Sequence, residues 1–237
     1  VNFIKISGLR KVYRIGNSEK VVALDNIELE VERGEIICIL GTSGSGKSTL
    51  LNMLAGLEKP TRGEIFINGK NIAKMSENQL AMFRRSTMGF VFQSYNLMPH
   101  LTALENVAFP LMLKNVSKRV RDKKAKEMLE LVGLHKQIKR KPSQMSGGQQ
   151  QRVGIARALV SNPKLIFADE PTGNLDSKTT KEVMELILSK VKENNQTLII
   201  VTHDVNIARY ADRIIHIFDG NISKVELVDR QQCAEQI

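Results

Sequence analysis

Tryptophan is absent from this 237-residue chain, tyrosine occurs three times and cysteine only twice. The two thiols, Cys38 and Cys233, lie far apart and lack metal-ligand spacing, so neither calls for a functional role. Cys38 falls in an apolar run and reads as a small buried hydrophobe. Long apolar runs are also missing. The longest, over 36–40 and 198–201, are strand-sized, far short of the roughly 18–20 residues that span a bilayer. Residues 1–13 alternate polar and apolar and contain no apolar block of the kind a secretory signal needs. A cytoplasmic chain is therefore expected. Acidic residues are outnumbered, with 25 Asp and Glu against 35 Lys and Arg for a formal charge of +10. The basic side chains concentrate over 114–126, including Lys118, Arg119, Arg121, Lys123 and Lys124, and over 136–141. A nucleic-acid surface is one reading of such runs. No aromatic residue is interleaved with them, so base stacking has little support. A solvated helical face, near anionic headgroups, is the expected reading.

What is present is an ordinary globular composition, 42% hydrophobic and 25% charged, in a chain long enough to bury a substantial core. Residues 3–12 and 27–31 alternate with period two and read as strands, with a Gly16-Asn17-Ser18 turn and polar residues between them. A continuous apolar strand over 35–40 is followed by a glycine-rich loop and a helix over 47–55. Strand, glycine loop and helix in that order open an α/β nucleotide-binding core. A turn at 59–63, a strand over 64–68 and another over 88–92 follow. From 102 to about 161 the spacing becomes helical, with Leu101, Leu104, Val107, Ala108 and Leu111 on one face and further helices over 118–132 and 149–160. This block is expected to be a helical subdomain inserted into the α/β core. Buried parallel-type strands over 165–168 and 198–201 flank a helix over 177–194. Residues 213–218 and 222–227 make a closing hairpin around Asp219-Gly220, and the polar tail from 229 is expected to fray.

Three strings carry chemistry. Gly41-Thr42-Ser43-Gly44-Ser45-Gly46-Lys47-Ser48-Thr49 fits the phosphate-loop pattern G-x-x-x-x-G-K-[ST]. Its glycines let backbone N–H groups converge on phosphates, and the following helix aims its positive end at the same anion. Lys47 supplies a charge for the β- and γ-phosphates, and the Ser48 hydroxyl can ligate Mg²⁺. The loop alone identifies a phosphate binder, since kinases and GTPases share it. The reaction is read from Leu165-Ile166-Phe167-Ala168-Asp169-Glu170, an apolar strand ending in two carboxylates. Asp169 can hold Mg²⁺ directly or through water, and Glu170 is placed to polarise an attacking water. Ser146-Gly147-Gly148-Gln149 opens a further helix, another anion-receptive end. Alone, that string is equally a helix-start turn. A second anion site would make sense if it served a nucleotide held by another copy.

Together and in this order, these strings resemble the ATP-binding cassette (ABC) ATPase family over nearly the whole chain. The resemblance implies a P-loop NTPase, RecA-like α/β core with an N-terminal antiparallel β subdomain and an inserted α-helical subdomain. The core with its β subdomain would comprise 1–93 and 162–228, the helical signature subdomain 94–161 and the tail 229–237. It implies ATP and Mg²⁺ as cofactors and a head-to-tail, ATP-dependent homodimer, in which Ser146, Gly147, Gly148 and Gln149 close on the partner's γ-phosphate. Tyr13 matches the aromatic residue that stacks on adenine. Gln93 matches the glutamine that senses Mg²⁺ and water, Asp176 the loop crossing to the partner, and His203 the γ-phosphate histidine. One departure is Met145, where the signature usually carries leucine, a near-isosteric exchange of small expected effect. With Glu170 and His203 both present, hydrolysis is expected rather than binding alone. Without a membrane span, the implied arrangement is a peripheral subunit on the inner face of the membrane, joined to a separate permease. The strings Pro171-Thr172-Gly173-Asn174-Leu175-Asp176 and Asn96-Leu97-Met98-Pro99 resemble the macrolide-export and lipoprotein-release group, which implies export, extraction or mechanotransmission. The alternative is a non-transport ABC ATPase acting on nucleic acid or ribosomes. Such proteins commonly carry a second cassette, a coiled-coil insertion or zinc-binding cysteines, so no nucleic-acid partner is expected. Tyr95, Leu97 and Met98, on a Pro-broken loop, are expected to be exposed apolar side chains that a helix of the permease covers.

Overall fold

The computed structural model describes residues 2–16 and 19–228. The 17–18 part of the expected turn, Cys233 and the expected frayed tail lie outside the described residues. The chain gathers into two units, Val1–Arg84 with Thr197–Ile237, and Arg85–Gln196.

In the first unit, strands β1 (Ile4–Ile15) and β2 (Glu19–Val31) pair antiparallel. Strands β4 (Arg62–Ile67) and β5 (Lys70–Asn71) complete a sheet in the order β2-β1-β4-β5. Both long strands outrun the sequence expectation. Asn26 takes a positive φ of 50°, and register shifts fall between Ile6/Leu9 and Leu9/Lys11. Each irregularity moves the period-two pattern to the other face, which hides the outer half of β2 from an alternation reading. Ile4, Ile6, Leu9, Leu24, Ile27, Ile65 and Ile67 are at most 1% exposed. Each such burial contributes roughly 1.5–3 kcal/mol.

The same unit holds β3 (Ile36–Leu40), β8 (Thr197–Thr202), β9 (Arg213–Phe218) and β10 (Asn221–Leu227). β3 runs parallel to both β8 and β9, while β9 and β10 form the expected hairpin. All five residues of β3 are buried, Cys38 at 0% exposure. A parallel strand covered on both faces needs apolar residues without alternation, which Ile36-Ile37-Cys38-Ile39-Leu40 supplies. Helix α1 (Lys47–Leu54) follows β3, and the one-turn α7 (Val205–Ala208) follows β8 and packs on β3. Helix α2 (Glu77–Thr87) was not expected. Its sequence is mostly polar, and only Leu80 and Phe83 of its apolar residues are buried. The overlooked signal is a capping box: Ser76 N–H donates to Gln79 Oε1 at 2.8 Å, and Gln79 N–H to Ser76 Oγ at 3.4 Å.

The second unit contains β6 (Met88–Phe92) parallel to β7 (Leu165–Asp169), with the Phe90 and Phe167 rings 5.3 Å apart. Four helices accompany them: α3 (Ala103–Leu113), α4 (Lys118–Leu131), α5 (Gly147–Leu159) and α6 (Ser177–Glu193). α3, α4 and α5 pack around Val107, Leu111, Leu129, Val153 and Ala156. α5 also lies on β6, where a Cβ on Gly89 would stand 2.4 Å from the Ala158 carbonyl oxygen. Only glycine admits that approach. α4 carries the basic run and buries just Ala125 and Leu129. Lys118 and Lys123 are more than three-quarters exposed and pair within the helix, at 2.5 Å to Asp122 and 3.9 Å to Glu127. The run is a solvated helical face.

Candidate active site

The phosphate-loop string occupies the bend between β3 and α1. Gly44 and Gly46 adopt φ of 81° and 105°, and Gly46 is the N-cap of α1. A Cβ on Gly41 would lie 2.4 Å from the Ile217 carbonyl oxygen and 2.7 Å from Ser45 Oγ. Thr42, Ser43, Gly44 and Ser48 are exposed, and Thr49 is half-buried. Lys47 is only 8% exposed, and its Nζ donates to the Thr42 carbonyl at 2.7 Å. Among the described residues no carboxylate pairs with it. Ser45 is 3% exposed, and its Oγ finds no hydrogen-bond partner among the described residues. A buried ammonium without a counter-charge and a buried hydroxyl without a partner are costly alone. An anion at the N-terminus of α1 would satisfy both.

Two more expected residues belong to this unit. His203 is exposed directly after β8, just before Asp204, whose carboxylate caps α7. Tyr13, half-buried on β1, donates its hydroxyl to Glu58 Oε2 at 2.6 Å.

In the second unit, Asp169 ends β7 and is half-buried, as is Glu170. Glu170 has φ 44°, a left-handed backbone unusual for a non-glycine residue. The next turn is tied to it by the Gly173 N–H to Glu170 carbonyl bond of 3.2 Å. That turn meets the glutamine after β6. Asn174 Nδ2 donates to the Gln93 carbonyl at 3.0 Å, and a Cβ on Gly173 would lie 2.7 Å from Gln93 Nε2. The Gln93 side chain itself is exposed. Gln151, 1% exposed on α5, donates to the Pro171 carbonyl, so the helix opened by Ser146 also supports the loop after Glu170.

Ser146 and Asp176 serve their own helices here. Ser146 Oγ accepts from Gln149 N–H, and Gln149 Oε1 accepts from Ser146 N–H, a capping box at the start of α5. Asp176 accepts from Thr179 N–H at 3.0 Å to cap α6, and that backbone bond lowers its pKa. Gly147 and Gly148 line the same helix end. A Cβ on Gly147 would lie 2.8 Å from Tyr95 Oη, and one on Gly148 3.2 Å from Thr179 Cγ2.

The loop after Gln93 differs from expectation. Tyr95, Leu97 and Met98 are half-buried rather than exposed, and Leu97 packs on the helical core. Two side chains that the sequence reading passed over hold this loop. Arg157 donates to the carbonyls of Tyr95 and Asn96, at 2.8 and 2.5 Å. Asn106, 1% exposed, accepts from Met98 N–H at 2.8 Å and donates to carbonyls of Met98, Leu101 and Thr102. Both Tyr95 and Asn96 have positive φ, which these bonds compensate. The exposed apolar surface expected to seat a permease helix is not found at these three residues.

Residues 24–173 match the family model described as ABC transporter. An uncharacterized ABC transporter ATP-binding protein of Methanocaldococcus jannaschii is 51% identical, over 96% of this chain and 100% of its own length. The macrolide export ATP-binding/permease protein MacB of Vibrio parahaemolyticus is 46% identical over 92% of this chain, which corresponds to 33% of MacB. Among solved structures, a dimeric post-hydrolysis state of the ATP-binding cassette MJ0796, bound to ADP and Pi, superposes with a TM-score of 0.89. It shares 44% identity and covers 95% of this chain and 99% of that one. The expected P-loop NTPase core, with its antiparallel β subdomain and helical insertion, is borne out by that likeness. A loop built to receive phosphate, carried on this fold and at this identity, leaves one conclusion: the chain belongs to the ABC transporter family and is an ATP-binding, ATP-hydrolysing subunit.

Proposed function

We propose that this subunit binds MgATP on loop 41–49 and works as a head-to-tail homodimer that drives a separate membrane permease. The observation that carries this reading is the buried Lys47 ammonium, held by the Thr42 carbonyl with no carboxylate partner among the described residues, beside the buried Ser45 hydroxyl that has no hydrogen-bond partner there. Lys47 faces the β- and γ-phosphates, and the backbone amides of 41–49 surround them. Ser48, Asp169 and Gln93 offer a hydroxyl, one carboxylate and an amide oxygen, hard donors that suit Mg²⁺. When bound, Mg²⁺ would neutralise charge on the phosphates. Glu170 accepts a proton from the attacking water, Gln93 orients that water, and His203 contacts the γ-phosphate. Tyr13 stacks on the base.

Ser146, Gly147, Gly148 and Gln149, at the N-terminus of α5, complete the site of the other subunit, and Asp176 reaches across beside them. The contact exists only while the γ-phosphate is present, so binding favours closure and cleavage releases it. The dimeric cassette structures support the pairing. No described helix is long and apolar enough to cross a membrane. A subunit of this family would act from the inner membrane face through a permease, and the likeness to MacB favours an export or extraction system. The α/β portion over 1–93 and 162–228 and the helical portion over 94–161 would act as the two levers of that cycle.

Site sharing has a direct test. Lys47→Ala should abolish turnover by removing the phosphate charge, and Ser146→Arg should abolish it by blocking pairing. Mixed at equal concentration, the two inactive variants should recover part of the wild-type ATPase rate, because one mixed interface keeps an intact loop and an intact signature. Heterodimers that form but remain inactive at every ratio would exclude shared sites.

A further inference from the structure

We propose that Glu58 and Lys11 form a clamp that presets the Tyr13 ring for stacking and leaves one ring face open to the base. The inference rests on the reading of Tyr13 as the base platform. Glu58 lies just past α1, where Leu57 N–H and Glu58 N–H both donate to the Asn52 carbonyl, at 2.8 and 3.2 Å. This turn points the carboxylate back toward β1. There Oε2 accepts the Tyr13 hydroxyl at 2.6 Å and pairs with Lys11 Nζ at 3.2 Å, while Oε1 accepts from Asn52 Nδ2 at 2.9 Å. Lys11 Nζ is held additionally by the Lys59 carbonyl at 2.9 Å, and it stands over the Tyr13 ring, 5.0 Å from the centroid.

Three consequences follow from that geometry. The ring cannot turn about its long axis without moving the ammonium off its face, so its plane is set before any nucleotide arrives. The face under Lys11 is occupied by a cation, an attraction of the cation–π kind, and a base can approach only from the other side. The hydroxyl is also tied to the phosphate-loop helix, through Glu58 to Asn52, which belongs to α1. Ring and phosphate loop are thereby kept at a fixed separation, which is what a ligand with a base at one end and phosphates at the other requires. The ionisation states agree with this polarity. Burial pushes the Glu58 carboxyl up, but hydrogen bonds from Tyr13, Asn52 and Lys11, with the Lys11 charge, outweigh it and hold it below the usual carboxylate range. Burial and the Glu58 bond raise the Tyr13 phenol, so it remains the donor.

A preset ring spares the ligand the ordering of a mobile side chain, an effect on the scale of one hydrogen bond. The test measures equilibrium affinity for MgATP and for tripolyphosphate, which has phosphates and no base. Glu58→Ala and Tyr13→Phe should each weaken MgATP about fivefold and raise KM by the same factor. The double variant should be no weaker than either single one, because both remove the same bond. Tripolyphosphate affinity should stay at the wild-type value throughout. If Tyr13→Ala weakens MgATP while Tyr13→Phe and Glu58→Ala do not, the clamp is overturned and the base platform stands. If Tyr13→Ala changes nothing, the platform reading fails and the clamp falls with it. Equal loss of tripolyphosphate binding in Glu58→Ala would show that Glu58 supports the phosphate loop itself, and would also overturn the proposal.

Discussion

Glu170 occupies a left-handed backbone, at φ 44°, that costs a non-glycine residue on the order of 1–3 kcal/mol. Such strain persists only where the surroundings impose it, and here a strand end and the Gly173 turn do so. Glu170→Gln keeps the shape and removes the carboxylate proposed to accept the proton of water. Its turnover should fall by about 10²–10⁴-fold while MgATP affinity stays within about twofold. Single-turnover assay with equilibrium titration separates the two, and near-wild-type turnover would remove Glu170 from the reaction. At this scale, legibility divided along sequence distance. Lys47, Asp169 and Glu170 sit inside short strings whose chemistry is local. Glu58 was not seen because its partner on β1 is 45 residues away and nothing around Lys59-Pro60 announces a contact. Arg157 reads as one more basic residue, yet its guanidinium joins carbonyls more than 60 positions earlier.

Helices and strands were legible where one period governs a whole element. Strands β6 and β9 were anticipated to the residue, β6 because a continuous apolar run bounded by polar residues leaves little choice of ends, and β9 because the Asp219-Gly220 turn marks where it stops. β2 was cut short by its irregularities, and α2 escaped because two buried side chains make too narrow an apolar stripe for periodicity to register. α3 shows what periodicity cannot contain. Its pattern marks Val107 and Leu111 as core, but Asn106, equally buried, acts by bonding the backbone of the preceding loop four times over. Asn106→Ala strands several of those groups and should destabilise the folded chain by about 2–4 kcal/mol. Thermal or urea unfolding measures this, and a change under about 0.5 kcal/mol would mean that water replaces the amide without loss.

At the scale of the molecule, fold class was legible because strand, glycine loop and helix must follow in that order to build an anion site. The half-buried state of Leu97 and Met98 was not, since Arg157 comes from a helix distant in sequence and Asn106, on the next helix, acts through backbone bonds that no periodicity shows. One feature of the core also turns the protein into its own reporter. Cys38 stands at 0% exposure in β3, the strand that leads directly into the phosphate loop. In a Cys233→Ser background it is the sole thiol of the chain, so alkylation by a small reagent can proceed only through opening of that strand. Nucleotide binds the closed form, so labelling should slow by a factor of one plus the ratio of ligand to Kd, about a hundredfold at a hundredfold excess. A labelling rate indifferent to ATP would mean that β3 opens without disturbing the loop. Otherwise a buried sulfur serves as a clock whose rate reads nucleotide occupancy with no dye, no tag and no turnover.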